Sequence, residues 1–218
     1  EVARSLSLPY YEEGRSTLGG QRDYPGETRD LLAGFFHASP PEHFIFTQNA
    51  TDSLNMAIHG FLHHHGKPCH AITTELEHNS VLRPLRTLER DGKISLSIVP
   101  FDARGYVTPE AVKAAVRDTT RLMVMTHGSN VLGTVQDIGE IGSLLRDEAI
   151  FFIVDGAQTA GQIPVDLGSL PVDLYAFTGH KALFGIPGIG GFYIRDPALV
   201  DPVRQGGTGA NSGYPYQE

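Results

Sequence analysis

The 218-residue chain lacks the features that mark several common protein classes. Its single cysteine, Cys69, excludes an internal disulfide framework and fits a reducing compartment. No apolar run approaches the ~20 residues that a membrane-spanning helix needs, and the first residues lack the basic-then-apolar pattern of a signal peptide. We therefore expect a cytoplasmic protein with no membrane partner.

Positive charge is also scarce. The 17 lysines and arginines are outnumbered by 25 aspartates and glutamates, which gives a formal net charge of −8. Because nucleic acids are bound mainly through neutralisation of their phosphates, this balance argues against a nucleic-acid partner. An anionic ligand would have to be held by a local group of donors.

Short apolar runs alternate with amphipathic stretches along most of the chain. We predict strands at 44–47, 70–73, 94–99, 122–126, 150–154, 174–177 and 191–194. We predict helices at 27–36, 52–64, 80–90, 109–117 and 138–146. Several strands are apolar at every position, as in a parallel sheet covered by helices on both faces. The pattern predicts an α/β fold, with residues 1–42 as an N-terminal arm and helix and residues 43–218 as one large domain.

The connection before the last strand is short. Only about nine residues separate Phe177 from the strand that starts near Gly190, whereas a parallel crossover needs a dozen or more. The last strand should therefore run antiparallel. The segment 156–173 is long enough for a parallel crossover, so Asp155 and Lys181 are expected at the same edge of the sheet, where ligands of such folds bind.

Lysine occurs four times, and only Lys181 directly follows an apolar strand. Lys67 and Lys93 lie in glycine-containing turns, and Lys113 lies on the polar side of a helix. We expect Lys181 to be partly desolvated, which favours the uncharged amine that attacks carbonyl groups. Alternatively, its carbon stem packs along the strand end while the amine reaches water.

Asp155 closes the apolar run 150–154. A carboxylate at the end of a buried strand is costly unless a cation meets it, and a protonated pyridine nitrogen is such a cation. The alternative is that Asp155 caps the turn that begins at Gly156.

Other polar residues follow the predicted strands at the same edge. Thr51 and nearby backbone amides begin a helix, which suits a phosphate, and Thr178 and His180 add donors. Helix capping is the alternative for Thr51. His78 could stack on a ring and Asn130 could bond a ring hydroxyl, although each is also explained as a loop residue or a cap.

Two further patterns predict no site. The glycine-rich run 185–191 lies between strands, whereas a dinucleotide motif joins a strand to a helix. Four histidines have helical spacing but no accompanying cysteine, so we expect no metal site there: His59, His63, His64 and His65.

Taken together, the motifs resemble the class V aminotransferase family of pyridoxal-phosphate (PLP) enzymes, in particular cysteine desulfurases and selenocysteine lyases. The resemblance runs from about Phe44 to Gly209. It rests on segments 49–51, 74–80, 126–133, 154–158 and 178–181. It implies a type I PLP-dependent transferase large domain, with a mostly parallel central sheet, one antiparallel strand and helices on both faces.

The resemblance also implies a role for each site residue. Lys181 would be the Schiff-base lysine, Asp155 the partner of the pyridine nitrogen, and His78 a stacking residue that also exchanges protons; these three are the catalytic residues. The implied cofactor-binding residues are Ala50, Thr51, His78, Asn130, Asp155, Gln158, Thr178, His180 and Lys181. Among them, Asn130 and Gln158 would contact the 3-oxygen of the ring, and the phosphate would lie on Thr51, Thr178 and His180.

The implied activity is that of a cysteine desulfurase, which converts L-cysteine to L-alanine and enzyme-bound sulfur. Another small amino acid and another family reaction (transamination, selenocysteine lysis or epimerisation) remain open, as does a PLP-binding scaffold without turnover. The family implies a homodimer and a sulfur-acceptor protein. Residues 206–208 would approach the interface between the two subunits. Its C-terminal small domain, with a substrate-binding arginine and a sulfur-accepting cysteine, is absent from these 218 residues, and Cys69 does not match that cysteine.

Overall fold

One seven-stranded sheet forms the centre of the chain in this computed structural model, which describes residues 23–205. The strands are β1 (Phe44–Thr47), β2 (Cys69–Thr74), β3 (Ile94–Val99), β4 (Thr120–Thr126), β5 (Phe151–Asp155), β6 (Leu174–Thr178) and β7 (Gly190–Ile194). The helices are α1 (Tyr24–Phe35), α2 (Ala50–His65), α3 (Asn79–Arg90), α4 (Pro109–Ala115) and α5 (Ile138–Asp147), with short 3₁₀ turns at Pro41–His43 and Pro197–Leu199. The predictions for most of the N-terminal arm and for residues 206–208 lie outside the described residues.

The strand order is β1-β7-β6-β5-β4-β2-β3. β7 is antiparallel to both of its neighbours, β6 and β1. The other pairings are parallel. The predicted α/β fold with one antiparallel strand is therefore confirmed for residues 23–205, and the short connection between β6 and β7 is the physical reason for the reversal.

Helices cover both faces of the sheet, which explains why β2, β5, β6 and β7 are buried at every position. On one face, α2 and α3 pack Leu54, Ile58 and Leu85 against the sheet. On the other, Ala33 of α1 and Ile141 of α5 belong to a second core. Cys69 opens β2 and is buried.

Local side-chain chemistry sets where the helices begin. Thr108 caps α4 ahead of Pro109 by accepting a hydrogen bond from the Ala111 amide. α1 starts three residues earlier than predicted because the Asp23 side chain accepts from the Gly26 amide. Within residues 23–205 no helix has the length and apolarity to cross a membrane.

The start of α2 is pressed against β7 at Gly190. A Cβ atom at this position would lie 2.6 Å from Cα of Asn49, a backbone atom that cannot move without shifting the helix. Gly34, in contrast, is exposed on α1 and has no atom within reach of an added Cβ.

We expect Gly190→Ala to lower the free energy of unfolding by about 1–3 kcal/mol, because overpacking forces the backbone apart. Chemical denaturation measures this change. Gly34→Ala is the matched control and should stabilise the chain by roughly 0.5–1 kcal/mol, since alanine is the better helix former. Equal effects of the two substitutions would show that the contact at Gly190 is not tight.

Candidate active site

A cavity of about 370 Å³ opens at the carboxyl ends of the strands. It lies where α/β folds of this kind bind ligands. Its lining is formed by Asn49, Ala50, Thr51, His78, Ser80, Thr126, Gly128, Asn130, Asp155, Ala157, Gln158, Thr178, His180 and Lys181. All nine residues expected at the site therefore face one space, although they come from five separate segments of the chain.

The first turn of α2 forms one wall of the cavity. Asn49 is the N-cap of this 16-residue helix, and its side chain accepts from the Asp52 amide at 2.9 Å. The alternative explanation of Thr51 as the cap is therefore wrong. Ala50 and Thr51 occupy the first two helical positions, whose amides have no partner within the helix, so this end of the cavity attracts anions.

Thr178 and His180 face the cavity from the end of β6. The Thr178 side chain is buried, and its Oγ1 lies 3.0 Å from Nδ1 of His180. The hydroxyl can donate to either the ring nitrogen or a ligand. These groups extend the anion-binding end of the cavity.

Asp155 lies at the last position of β5 and is buried. Oδ1 accepts from the Ala157 amide at 2.9 Å, so Asp155 does cap the following turn. Oδ2 accepts no hydrogen bond from the described residues. Burial raises the pKa of this carboxyl, while the Ala157 amide, Lys181 and His78 favour its charged form. The capping and cation-binding explanations are therefore compatible.

Lys181 lies three residues beyond the end of β6 and is exposed. The expectation that this lysine is partly desolvated is therefore wrong for the described chain. The reason is that Lys181 lies in the loop after β6 rather than at the strand end, where it lines the cavity. Its charge nevertheless acts on Asp155, which confirms that the two residues share one edge of the sheet.

His78 is the N-cap of α3. Its Nδ1 accepts from the Ser80 amide at 3.2 Å and lies 2.8 Å from the Ser80 hydroxyl oxygen. The capping alternative therefore holds for His78, and the exposed ring is still free to face the cavity.

Asn130 and Gln158 come from two loops beside the mouth of the cavity. Asn130 is exposed in the turn after β4, where the neighbouring Ser129 hydroxyl accepts from the Val131 and Leu132 amides. Gln158 is half-buried in the turn that Asp155 caps. Both side-chain amides line the cavity.

Behind the cavity lies a layer of buried polar residues to which we assigned no role from the sequence. Thr159 joins His127 and Tyr175, with its Oγ1 at 2.9 Å from the imidazole Nδ1 and 2.8 Å from the phenol oxygen. Burial lowers the pKa of His127 to about 4, so this ring is neutral. Glu77 is buried beside the same strand ends. Of these residues, only Glu77 could have been identified from the sequence, because its carboxylate directly precedes the site residue His78.

The four helical histidines and the glycine-rich run, for which no site was predicted, do not belong to the lining of the cavity. His63 and His64 pair with Asp201 through contacts of 2.8 and 3.2 Å at the end of α2. The glycine-rich run 185–191 forms the second half of the connection from β6 and the first two residues of β7. Among residues 23–205 no group of three or more histidine, cysteine or acidic side chains is arranged to hold a metal ion.

The family model for aminotransferase class-V matches residues 21–214. Among curated proteins, cysteine desulfurase IscS of Shewanella frigidimarina is 42% identical over 168 residues, which are 77% of this chain and 41% of that protein. The IscS protein of Pseudomonas fluorescens is 41% identical over 182 residues, or 82% of this chain and 44% of that protein. The chain therefore spans less than half the length of these relatives.

Solved structures agree with these matches. A structure of SspA in complex with cysteine is 30% identical and superposes with a TM-score of 0.81, covering 93% of this chain and 57% of the other. An apo structure of cysteine desulfurase from Thermococcus onnurineus NA1 is 31% identical with a TM-score of 0.80, covering 91% of this chain and 52% of the other.

Proposed function

The chain belongs to the class-V aminotransferase family, and from this premise we propose that it is the cofactor-binding part of a cysteine desulfurase, with PLP attached to Lys181. The predicted type I PLP fold is confirmed by the similarity to solved structures that include a cysteine desulfurase. The family implies the cofactor. The observation that carries the proposal is that an amine, a carboxylate and an anion-binding helix start converge on one cavity.

The donor set of the cavity fits PLP. Its volume of about 370 Å³ lies within the usual ~300–1,000 Å³ of small-molecule sites. The first turn of α2, Thr51, Thr178 and His180 would hold the phosphate. The free oxygen of Asp155 would meet the pyridine nitrogen at the opposite end.

The bound cofactor would supply an electron sink for the carbon that loses its proton. Asp155 would keep the ring nitrogen protonated through its negative charge. Asn130 and Gln158 would donate to the ring 3-oxygen, and His78 would cover the face of the ring. The Lys181 amine would hold the cofactor at rest and then move protons at the substrate, because no other lysine lines the cavity.

Cysteine is the proposed substrate, because the relatives at about 40% identity are named cysteine desulfurases and one solved relative is described in complex with cysteine. The test is to supply the PLP-loaded protein, expressed at the full length of its own gene, with cysteine and a thiol reductant, and to quantify alanine and sulfide. Equal amounts of the two are expected. Formation of a keto acid instead would indicate a transaminase. PLP binding without any product would indicate that the protein is a cofactor-binding scaffold without turnover.

Thr178→Val provides a test of the phosphate end. Valine keeps the shape of the side chain but removes the hydroxyl, and hydrogen bonds to charged groups contribute roughly 1.5–3 kcal/mol. We expect the Kd for PLP to rise about tenfold or more. Absorbance titration measures this Kd. Thr28→Val, at an exposed position of α1, is the control. An unchanged Kd would remove Thr178 from the phosphate site.

We further propose a homodimer in the cytoplasm that passes sulfur to an acceptor protein. Exposed apolar side chains beside the cavity support a covering partner: Phe184 is 94% exposed, Val131 81% and Ile186 68%. The single cysteine supports a reducing compartment.

A further inference from the structure

Glu77 is buried between β2 and α3, directly before His78. Its Oε1 accepts hydrogen bonds from the Thr74 hydroxyl at 2.6 Å and from the Thr126 amide at 2.9 Å. Oε2 is buried as well and has no partner among the described residues. The side chain therefore fastens the carboxyl end of β2 to that of β4, and one of its oxygens lacks a donor.

A second carboxyl lies close to this one. Thr126 pairs in register with Asp155 on the adjacent strand, and the Asp155 charge acts on Glu77. Burial, chiefly, and then Asp155 raise the pKa of Glu77 to about 8, against the two hydrogen bonds to Oε1. No cationic group contributes to the shift.

The surroundings of the two carboxyls differ. Asp155 is faced by Lys181 from the loop after β6 and by His78 from the start of α3, and both favour its charged form. His127, which follows Thr126 on β4, is a neutral ring because burial lowers its pKa to about 4. Two neighbouring buried carboxylates disfavour each other's ionisation, and a nearby cation favours the charged form of the carboxyl that it faces.

We propose that Glu77 is a positioning residue that stays protonated beside Asp155, so that Asp155 alone carries the negative charge facing the cavity. The consequence for the pyridine nitrogen rests on the proposed function, whereas the location of the proton is a property of the chain itself. Loss of this proton would place a second negative charge behind Asp155 and strengthen the hold of the ring nitrogen on its proton.

The pH dependence of unfolding tests the location of the proton without the cofactor. A carboxyl whose pKa is higher in the folded chain stabilises it below the pKa of the unfolded chain, and this stability is lost as pH rises. Relative to Glu77→Gln, the wild type should therefore lose stability between pH 4.5 and about 8 and show no further change above that range. Thermal unfolding of both proteins at pH 5, 7 and 9 measures the difference as a shift of several degrees in Tm.

Glu75→Gln is the matched control, because Glu75 is exposed two positions away in the same loop. Its Tm difference from the wild type should not change with pH. If Glu77→Gln does not fold, carbon-13 NMR of the Glu77 carboxyl in the wild type measures directly the pH at which this group loses its proton. A carboxyl that titrates near its ordinary value, or a Tm difference between wild type and Glu77→Gln that stays constant with pH, would overturn the proposal.

The cofactor provides a second readout. The absorbance of PLP bound to the wild type should change with a transition near pH 8 that Glu77→Gln lacks. The same transition in both proteins would overturn the proposed influence of Glu77 on Asp155. If neither protein binds PLP, the proposed function fails, and the unfolding experiment still decides where the proton lies.

Discussion

Replacement of Lys181 by alanine is expected to abolish the covalent retention of PLP after borohydride reduction. In the wild type, reduction should fix the cofactor on the peptide that contains Lys181, since no other lysine lines the cavity. Loss of the proton-transferring amine should also lower the rate of alanine formation by at least roughly 10²–10⁴-fold. Peptide mapping and the rate assay measure these two effects.

Lys113→Ala is the matched control, because Lys113 is exposed on α4, away from the cavity. It should leave both the labelled peptide and the rate unchanged. A reduced adduct on another lysine, or a retained adduct in Lys181→Ala, would contradict the proposed attachment.

Replacement of Asp155 by asparagine is expected to slow alanine formation by about 10²-fold or more, because a preorganised charge at the reacting group is lost. Asparagine has nearly the same shape and can still accept from the Ala157 amide, so the turn should persist. PLP should remain attached to Lys181 after reduction. The combination of retained label and lost rate separates an electronic role from a structural one.

Asp196→Asn serves as the control, since Asp196 is an exposed cap of a 3₁₀ turn that asparagine fills equally well. It should change neither readout. An Asp155→Asn protein with the rate of the wild type would show that Asp155 only caps its turn.

Much of the fold follows from local patterns in the sequence. The run 150–154 is apolar throughout because both faces of β5 are covered, and the structure places the strand within one residue of that run. Thr108 and Pro109 mark the start of α4 because capping chemistry is local. The reversal of β7 follows from the length of one connection.

Part of the site could not be predicted because it depends on contacts between distant positions. Thr159 bonds to His127 and Tyr175, which lie 32 and 16 residues away in sequence. Within an apolar run, nothing distinguishes Tyr175 as a hydrogen-bonding residue. The exposure of Lys181 was also misjudged, since it depends on the path of a loop rather than on the composition of the strand before it.

The pairing of β1 with β7 has a consequence for how the chain reaches its native state. Phe44 precedes its register partner Tyr193 by 149 positions and so leaves the ribosome long before it, and β7 is the only strand that pairs with β1 among residues 23–205. Closure of such a long loop is slow. Until then, β1 presents unpaired backbone groups, so the nascent protein passes through a stage at which it is prone to aggregate.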